Sequence, residues 1–239
     1  MTLNNMDIVY VFIPGPADSV ELRYSLRSVH NIPHRNIYIV GEVLPTRLNK
    51  DKIIHIPIKD DLNTKYENVI RKYKEICKHK NISDDFILMN DDIIIIKPIT
   101  KIPYYTVGTL KEFAERRKNI NTTGLYYQNI QKVLNLFPDG DAFNAHTPII
   151  YNKNKLLKLL NKYDDGNISV RTLYCNEYKI KGKPYEQEFG RLDSKLNDNR
   201  IQNLEGIDNV TYISMNGDVN YMAKIYLDKI LTPPYEYEL

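Results

Sequence analysis

Apolar residues along the first 90 positions fall in short continuous runs, each closed by turn residues. Residues 7–13 (DIVYVFI) make a run of strand length that stops at Pro14-Gly15-Pro16. Residues 36–40 (NIYIV), 53–58 (IIHIPI) and 86–89 (FILM) are three more. Short β-branched runs bounded by breakers read as buried strands. After the first run, Asp18 or Ser19 can cap a helix whose apolar face is Leu22, Leu26 and Val29. Their side-chain oxygens can accept from an exposed backbone N–H one turn on. Over 64–78, Val69, Ile70, Tyr73 and Ile76 recur at helical spacing. The order strand, helix, strand, strand, helix, strand predicts an α/β domain whose mostly parallel central sheet is flanked by helices.

The second half alternates less cleanly. Residues 109–118 and 124–136 predict helices, 145–151 a strand, and 153–162 (KNKLLKLLNK) a short helix with a basic outer face. Residues 210–215 (VTYISM) predict a strand ending at Asn216-Gly217-Asp218, and 219–231 a closing helix that buries Val219, Met222, Tyr226 and Ile230. From 164 to 205 the chain is polar and rich in Tyr, Asn and Lys, too irregular for firm elements. No repeat or low-complexity linker divides the chain, which predicts one domain over 1–239.

Composition narrows the classes. Thirty-three Lys and Arg against 30 Asp and Glu leave a net charge of only +3, without the strong surplus common in nucleic-acid binders. Cys77 and Cys175, lacking any metal-ligand spacing, read as two reduced thiols, as expected of a cytoplasmic protein. The first apolar run follows an acid and is too short for a signal peptide, and no segment reaches the roughly 20 apolar residues of a membrane span.

In open α/β sheets ligands gather outside the carboxyl ends of the strands. Three polar features fall there: Pro14-Gly15-Pro16, Asn90-Asp91-Asp92 and Asn216-Gly217-Asp218. Asn90-Asp91-Asp92 is the sharpest, with apolar sequence on both sides. Adjacent carboxylates in such surroundings repel unless a cation or a hydrogen-bond network compensates them. Mg²⁺ or Mn²⁺ is held by one or two carboxylates plus substrate phosphates. In an extended chain Asn90 and Asp92 share one side and Asp91 takes the other. One side would then hold the metal while Asp91 contacts sugar or ribose. The competing reading is an Asp-rich turn that caps the next element.

Several blocks carry a resemblance. Asp7-Ile8-Val9-Tyr10, Glu21 to Ser28, Ile37 to Val40, Phe86 to Asp92, Ala145-His146-Thr147-Pro148 and Ser214 to Asp218 resemble the conserved blocks of the Stealth family, sugar-phosphate transferases of capsule synthesis. The tryptophan and Asp-Gly-Ser-Asp usual in that family's first block are replaced here by Phe12-Ile13-Pro14-Gly15. The resemblance implies a nucleotide-diphospho-sugar transferase fold of the GT-A type. It implies metal-dependent transfer of a sugar or sugar-phosphate from a nucleotide-sugar, a UDP-sugar foremost, to an acceptor hydroxyl. Residues 1–100 would form the nucleotide-sugar half and 101–239 the acceptor half.

On this reading Asp92, Asp91 and His146 are metal candidates, and His146, Asp91, Asp141 and Asp218 candidates for acid–base work. Pro14, Gly15 and Asn90 would line the donor site, with Arg23 and Arg27, four apart on one helix face, gripping phosphate. Lys65, Asn68 and Arg171 are further donor contacts. Each has an ordinary structural explanation beside it: a solvated helix face, a turn, or a hydrogen-bonded core histidine. The acceptor is a polysaccharide or other surface glycan. Alternatively it is a hydroxymethylated DNA base in a phage setting, reached along a basic groove from Lys153, Lys155, Lys158, Lys179, Lys181 and Lys183. A non-catalytic binding module of the same fold is the rival from another class.

Overall fold

The computed structural model describes residues 2–14, 20–118, 120, 123–163, 166–185, 190–193, 210–216, 221–231 and 236–239. The buried runs of the first half become β1 (Asp7–Val11), β2 (Ile37–Gly41), β3 (Ile54–Pro57) and β4 (Asp85–Met89). Helices α1 (Val20–Ser28) and α2 (Lys65–Lys78) lie between them, at the places their periodicity predicts. Thr64 caps α2: its hydroxyl accepts from the Glu67 amide, and the Glu67 carboxylate reaches back to the Thr64 amide.

After β4 the chain enters β5 (Ile93–Ile95), β6 (Tyr105–Thr106), α3 (Leu110–Lys118) and α4 (Leu125–Leu136). Next come β7 (Ile149–Asn152), α5 (Lys153–Lys162), α6 (Val170–Glu177), β8 (Lys183–Pro184) and β9 (Gly190–Asp193). β10 (Tyr212–Asn216) and α7 (Tyr221–Ile230) follow. Helix α6 and strands β8 and β9 lie in the stretch that sequence periodicity leaves unassigned.

The main sheet runs β3-β2-β1-β4-β7. Its first four strands are parallel, and β7 closes the edge antiparallel to β4. A second sheet, β5-β10-β9, pairs β10 antiparallel with β5 and parallel with β9. Alternate residues sort the main sheet's faces. Val9, Tyr38, Val40, Phe86 and Leu88 pack under α2, α5 and α6, whereas Ile8, Tyr10, Ile37, Ile39, Ile87 and Met89 pack with α1 and β5. Each such fully buried side chain contributes about 1.5–3 kcal/mol of transfer free energy, which fixes register as well as stability.

Ile93 to Ile95 therefore do not extend β4. They leave the main sheet and start another one, so the acids between Met89 and Ile93 sit at the junction of two sheets. Cys77 and Cys175 are both buried and free. No helix among the described residues is long and apolar enough to cross a membrane.

Candidate functional site

Strand β4 ends at the carboxyl edge of the sheet, where Asn90, Asp91 and Asp92 are half-buried. The Ile93 amide donates to the Asn90 carbonyl (3.3 Å), and the Asp92 carbonyl accepts from the Met215 amide of β10 (2.8 Å). The turn is thereby fastened to both sheets.

Asp92 meets two side chains from distant parts of the chain. Its Oδ2 lies 3.0 Å from Nδ1 of His146 and 3.1 Å from Oγ of Ser214, and these two partners are 3.4 Å apart. Burial pushes the Asp92 carboxyl up, but the hydrogen bonds from His146 and Ser214 outweigh it and hold the group below the usual carboxylate range. An ionised carboxylate only accepts, so Nδ1 carries the hydrogen of this contact; a cation held by the pair would take that hydrogen's place. Asp91 behaves oppositely. Burial, followed by the Asp92 charge, pushes its carboxyl up to about 6, with Lys65 pulling it back. The two neighbours thus divide the charge: Asp92 is firmly ionised, and Asp91 sits close to its titration point.

The other expected residues separate into two groups. Lys65, the first residue of α2, acts on Asp91 and so belongs to the neighbourhood of the acids. Pro14 is exposed just beyond the carboxyl end of β1. Gly15 and Asp218 lie outside the described residues.

Six of the residues named in the sequence make their contacts within the fold. Arg23 and Arg27 grip the Glu238 carboxylate through four hydrogen bonds, and Arg27 also pairs with Asp228 at 2.6 Å, so their face of α1 is closed by the end of the chain. Asn68 is buried and spent on the loop before α2: it donates to the Leu62 and Thr64 carbonyls and accepts from the Leu62 amide. Arg171 donates to the Ala145 and Thr147 carbonyls. Asp141 is exposed, its backbone tied in both directions to the Asn176 side chain. That is five residues along α6 from Arg171, or about 7.5 Å of helix rise away from the His146 loop. Lys153, assigned above to a basic groove, is buried with its ammonium on the His79 and Ile82 carbonyls.

Two residues near the site were missed in the sequence. Ser214 is a buried polar residue opposite Ile93 in the pairing; a serine set between Ile213 and Met215 is the available signal. Lys72 is fully buried, donating to the Phe12 carbonyl (2.8 Å) and to both Asp60 oxygens (2.6 and 2.8 Å). It ties the end of β1 to the loop after β3. Gly41 permits the same closeness, since a Cβ there would stand 2.6 Å from the Phe12 carbonyl oxygen.

No family model and no curated protein matches the sequence. Solved structures do match in three dimensions. The galactosyltransferase LgtC, determined with donor and acceptor sugar analogues, superposes with a TM-score of 0.52 at 12% identity, covering 96% of this chain and 98% of that one. The chain has a GT-A glycosyltransferase fold. Looser matches are a glycosyltransferase involved in glycosylation of the major capsid of PBCV-1 and GlyE of Streptococcus pneumoniae. The first has TM-score 0.43 and 10% identity, covering 94% of this chain and 98% of that one. The second has TM-score 0.43 and 11% identity, covering 97% and 61%. At 12% identity the likeness to LgtC speaks for the architecture alone, and the two looser matches add nothing to it.

Within that fold, Asn90-Asp91-Asp92 follows the carboxyl end of β4, next to the central strand β1. Asp92 and His146 supply a hard carboxylate oxygen and an imidazole nitrogen, a mixed donor set that would favour Mn²⁺ over the oxygen-seeking Mg²⁺. Among the described residues no group of three His, Cys, Asp or Glu side chains converges.

Proposed function

We propose that this protein transfers a sugar from a nucleotide-sugar to an acceptor hydroxyl, using a divalent cation held by Asp92 and His146. The observation that carries the reading is the contact between Asp92, His146 and Ser214 at the carboxyl end of β4. Two distant segments converge there on a carboxylate kept ionised, next to a second acid that burial and then its neighbour's charge raise to about 6. Two protein ligands among the described residues suit an ion whose remaining positions are filled by phosphate and water. When bound, such a cation neutralises charge on the departing diphosphate.

The chain's own groups have separable tasks. Asp92 keeps its negative charge through the His146 and Ser214 hydrogen bonds. Asp91, beside it in the turn, accepts a hydrogen bond from a ribose or sugar hydroxyl. Lys65 adds positive charge beside it at the start of α2, where the helix dipole also favours an anion. The Stealth-like blocks suggest sugar-phosphate transfer as the variant. Phe12-Ile13-Pro14-Gly15, in place of acidic first-block residues, favours transfer of the sugar itself.

A thermal-shift screen of nucleotide-sugars with and without Mn²⁺ tests the reading, because a ligand that binds only the native state raises the melting temperature by mass action. The expected result is stabilisation by one nucleotide family that needs Mn²⁺, together with slow hydrolysis of the same compound. Stabilisation by none, and no hydrolysis, would leave a binding module of the same fold.

A further inference from the structure

We infer that Arg171 is the positioning residue for His146: its guanidinium clamps the two carbonyls that flank the histidine and aims the imidazole at Asp92. The inference rests on the site reading above and concerns how that site is built.

The segment from Ala142 to Ile149 is buried except at Asn144, which is half-buried, and His146, whose side chain is 52% exposed. His146 therefore projects outward from a buried loop to meet Asp92 and Ser214. Its backbone is the apex of a tight turn, in which the Thr147 amide donates to the Ala145 carbonyl at 3.0 Å. A three-residue turn of this kind is a weak restraint by itself. Arg171 supplies the rest. Nη1 donates to the Ala145 carbonyl (2.5 Å) and Nη2 to the Thr147 carbonyl (2.7 Å), one on each side of His146.

A guanidinium presents its donors in a rigid planar fork, so holding both carbonyls fixes the peptide planes before and after the histidine together. With those planes set, so is the direction of the His146 Cα–Cβ bond. The clamp is mounted on a firm element. Leu173, Tyr174 and Cys175 bury α6 in the core, and Thr172 holds the same loop by accepting from the Phe143 amide and donating to the Asn144 side chain. An ammonium on a flexible stem cannot reproduce the fork. Lysine therefore keeps the charge and loses the geometry.

The test uses Arg171→Lys, Arg171→Met, His146→Ala and the Arg171→Met/His146→Ala double variant in the full chain. Two quantities are measured: Mn²⁺ affinity without nucleotide, by the loss of free-ion paramagnetic signal, and amide hydrogen exchange over 142–149 without metal. Groups that orient a ligand change metal affinity by about 10–100-fold when removed. The expectation is about a tenfold loss for Arg171→Lys and Arg171→Met alike, no loss in the double variant beyond that of His146→Ala, and faster exchange at Ala145 to Thr147. Arg171→Lys serves where Arg171→Met fails to fold. Unchanged Mn²⁺ affinity in the Arg171 variants overturns the inference, as does a double variant whose loss is the product of the single losses. Wild-type protein that binds no Mn²⁺ defeats the function reading instead, and exchange then decides the clamp: protection at 145–147 untouched in Arg171→Lys overturns it.

Discussion

Asp7 and the Asp91–Asp92 pair are acids at opposite ends of two neighbouring strands, and their surroundings differ in kind. Asp7, at the amino end of β1, is wholly buried and saturated. It accepts from Arg35 Nε and Nη2, from the Asn36 amide and side chain, and from the Ser83 amide. Burial pushes its carboxyl up, but the Arg35 and Ser83 hydrogen bonds prevail and hold it below the ordinary range. At the carboxyl end of β4, Asp92 has His146 and Ser214, while Asp91 is driven up to about 6 by burial and by its neighbour's charge. A buried acid saturated by fixed donors serves the fold. A buried pair with charge left over is waiting for something positive.

The comparison can be broken at either end. The largest effect is expected from Asp92→Ala: turnover of the nucleotide-sugar found in the screen should fall at least about a hundredfold, in line with the several kcal/mol that metal-held charge stabilisation supplies. The melting temperature should fall less than in Asp7→Ala, because the lost His146 and Ser214 hydrogen bonds are partly offset when Asp91 loses a repulsive neighbour. A variant with full activity would show that the acids are structural after all. Asp7→Ala should do the reverse, costing about 3 kcal/mol in urea unfolding as the Arg35 guanidinium and the Ser83 amide lose their acceptor, with activity per folded molecule retained. The smallest effect is in acid. The Asp7 pKa is depressed in the fold, so its contribution is complete above the unfolded value of about 3.9 and is lost as pH falls through the lower folded value. The stability gap between wild type and Asp7→Asn should therefore close below about pH 4 and stay constant from pH 5 to 7.

The same contrast explains what the sequence could tell. Strands β1 to β4 and helix α2 were legible because their apolar runs and spacing are local properties, and Asn90-Asp91-Asp92 stood out as acids at the end of such a run. Helix α6 was not, although Val170, Leu173 and Tyr174 have helical spacing, because Tyr, Asn and Lys dominate the residues around it. Partners distant in the chain were out of reach. His146 meets Asp92 across 54 residues and Ser214 meets it across 122. Arg23 and Arg27 looked like a phosphate grip because their spacing shows which face they share. It cannot show that Glu238, more than 200 residues later, fills that face. Arg171 was noticed for its charge, whereas its contacts are to neutral carbonyls.

The three residues from Asn90 to Asp92 bridge strands that belong to different sheets. They have no slack: Met89 is hydrogen-bonded into one layer, Ile93 into the other, and the carbonyl of Asp92 is itself paired with β10. Any sliding of one layer over the other must be taken up within that short span, where it changes the distance between carboxylates. Loops elsewhere can be lengthened or grafted with little consequence for this spacing, but a single residue inserted between Met89 and Ile93 would cut the mechanical link between the two halves.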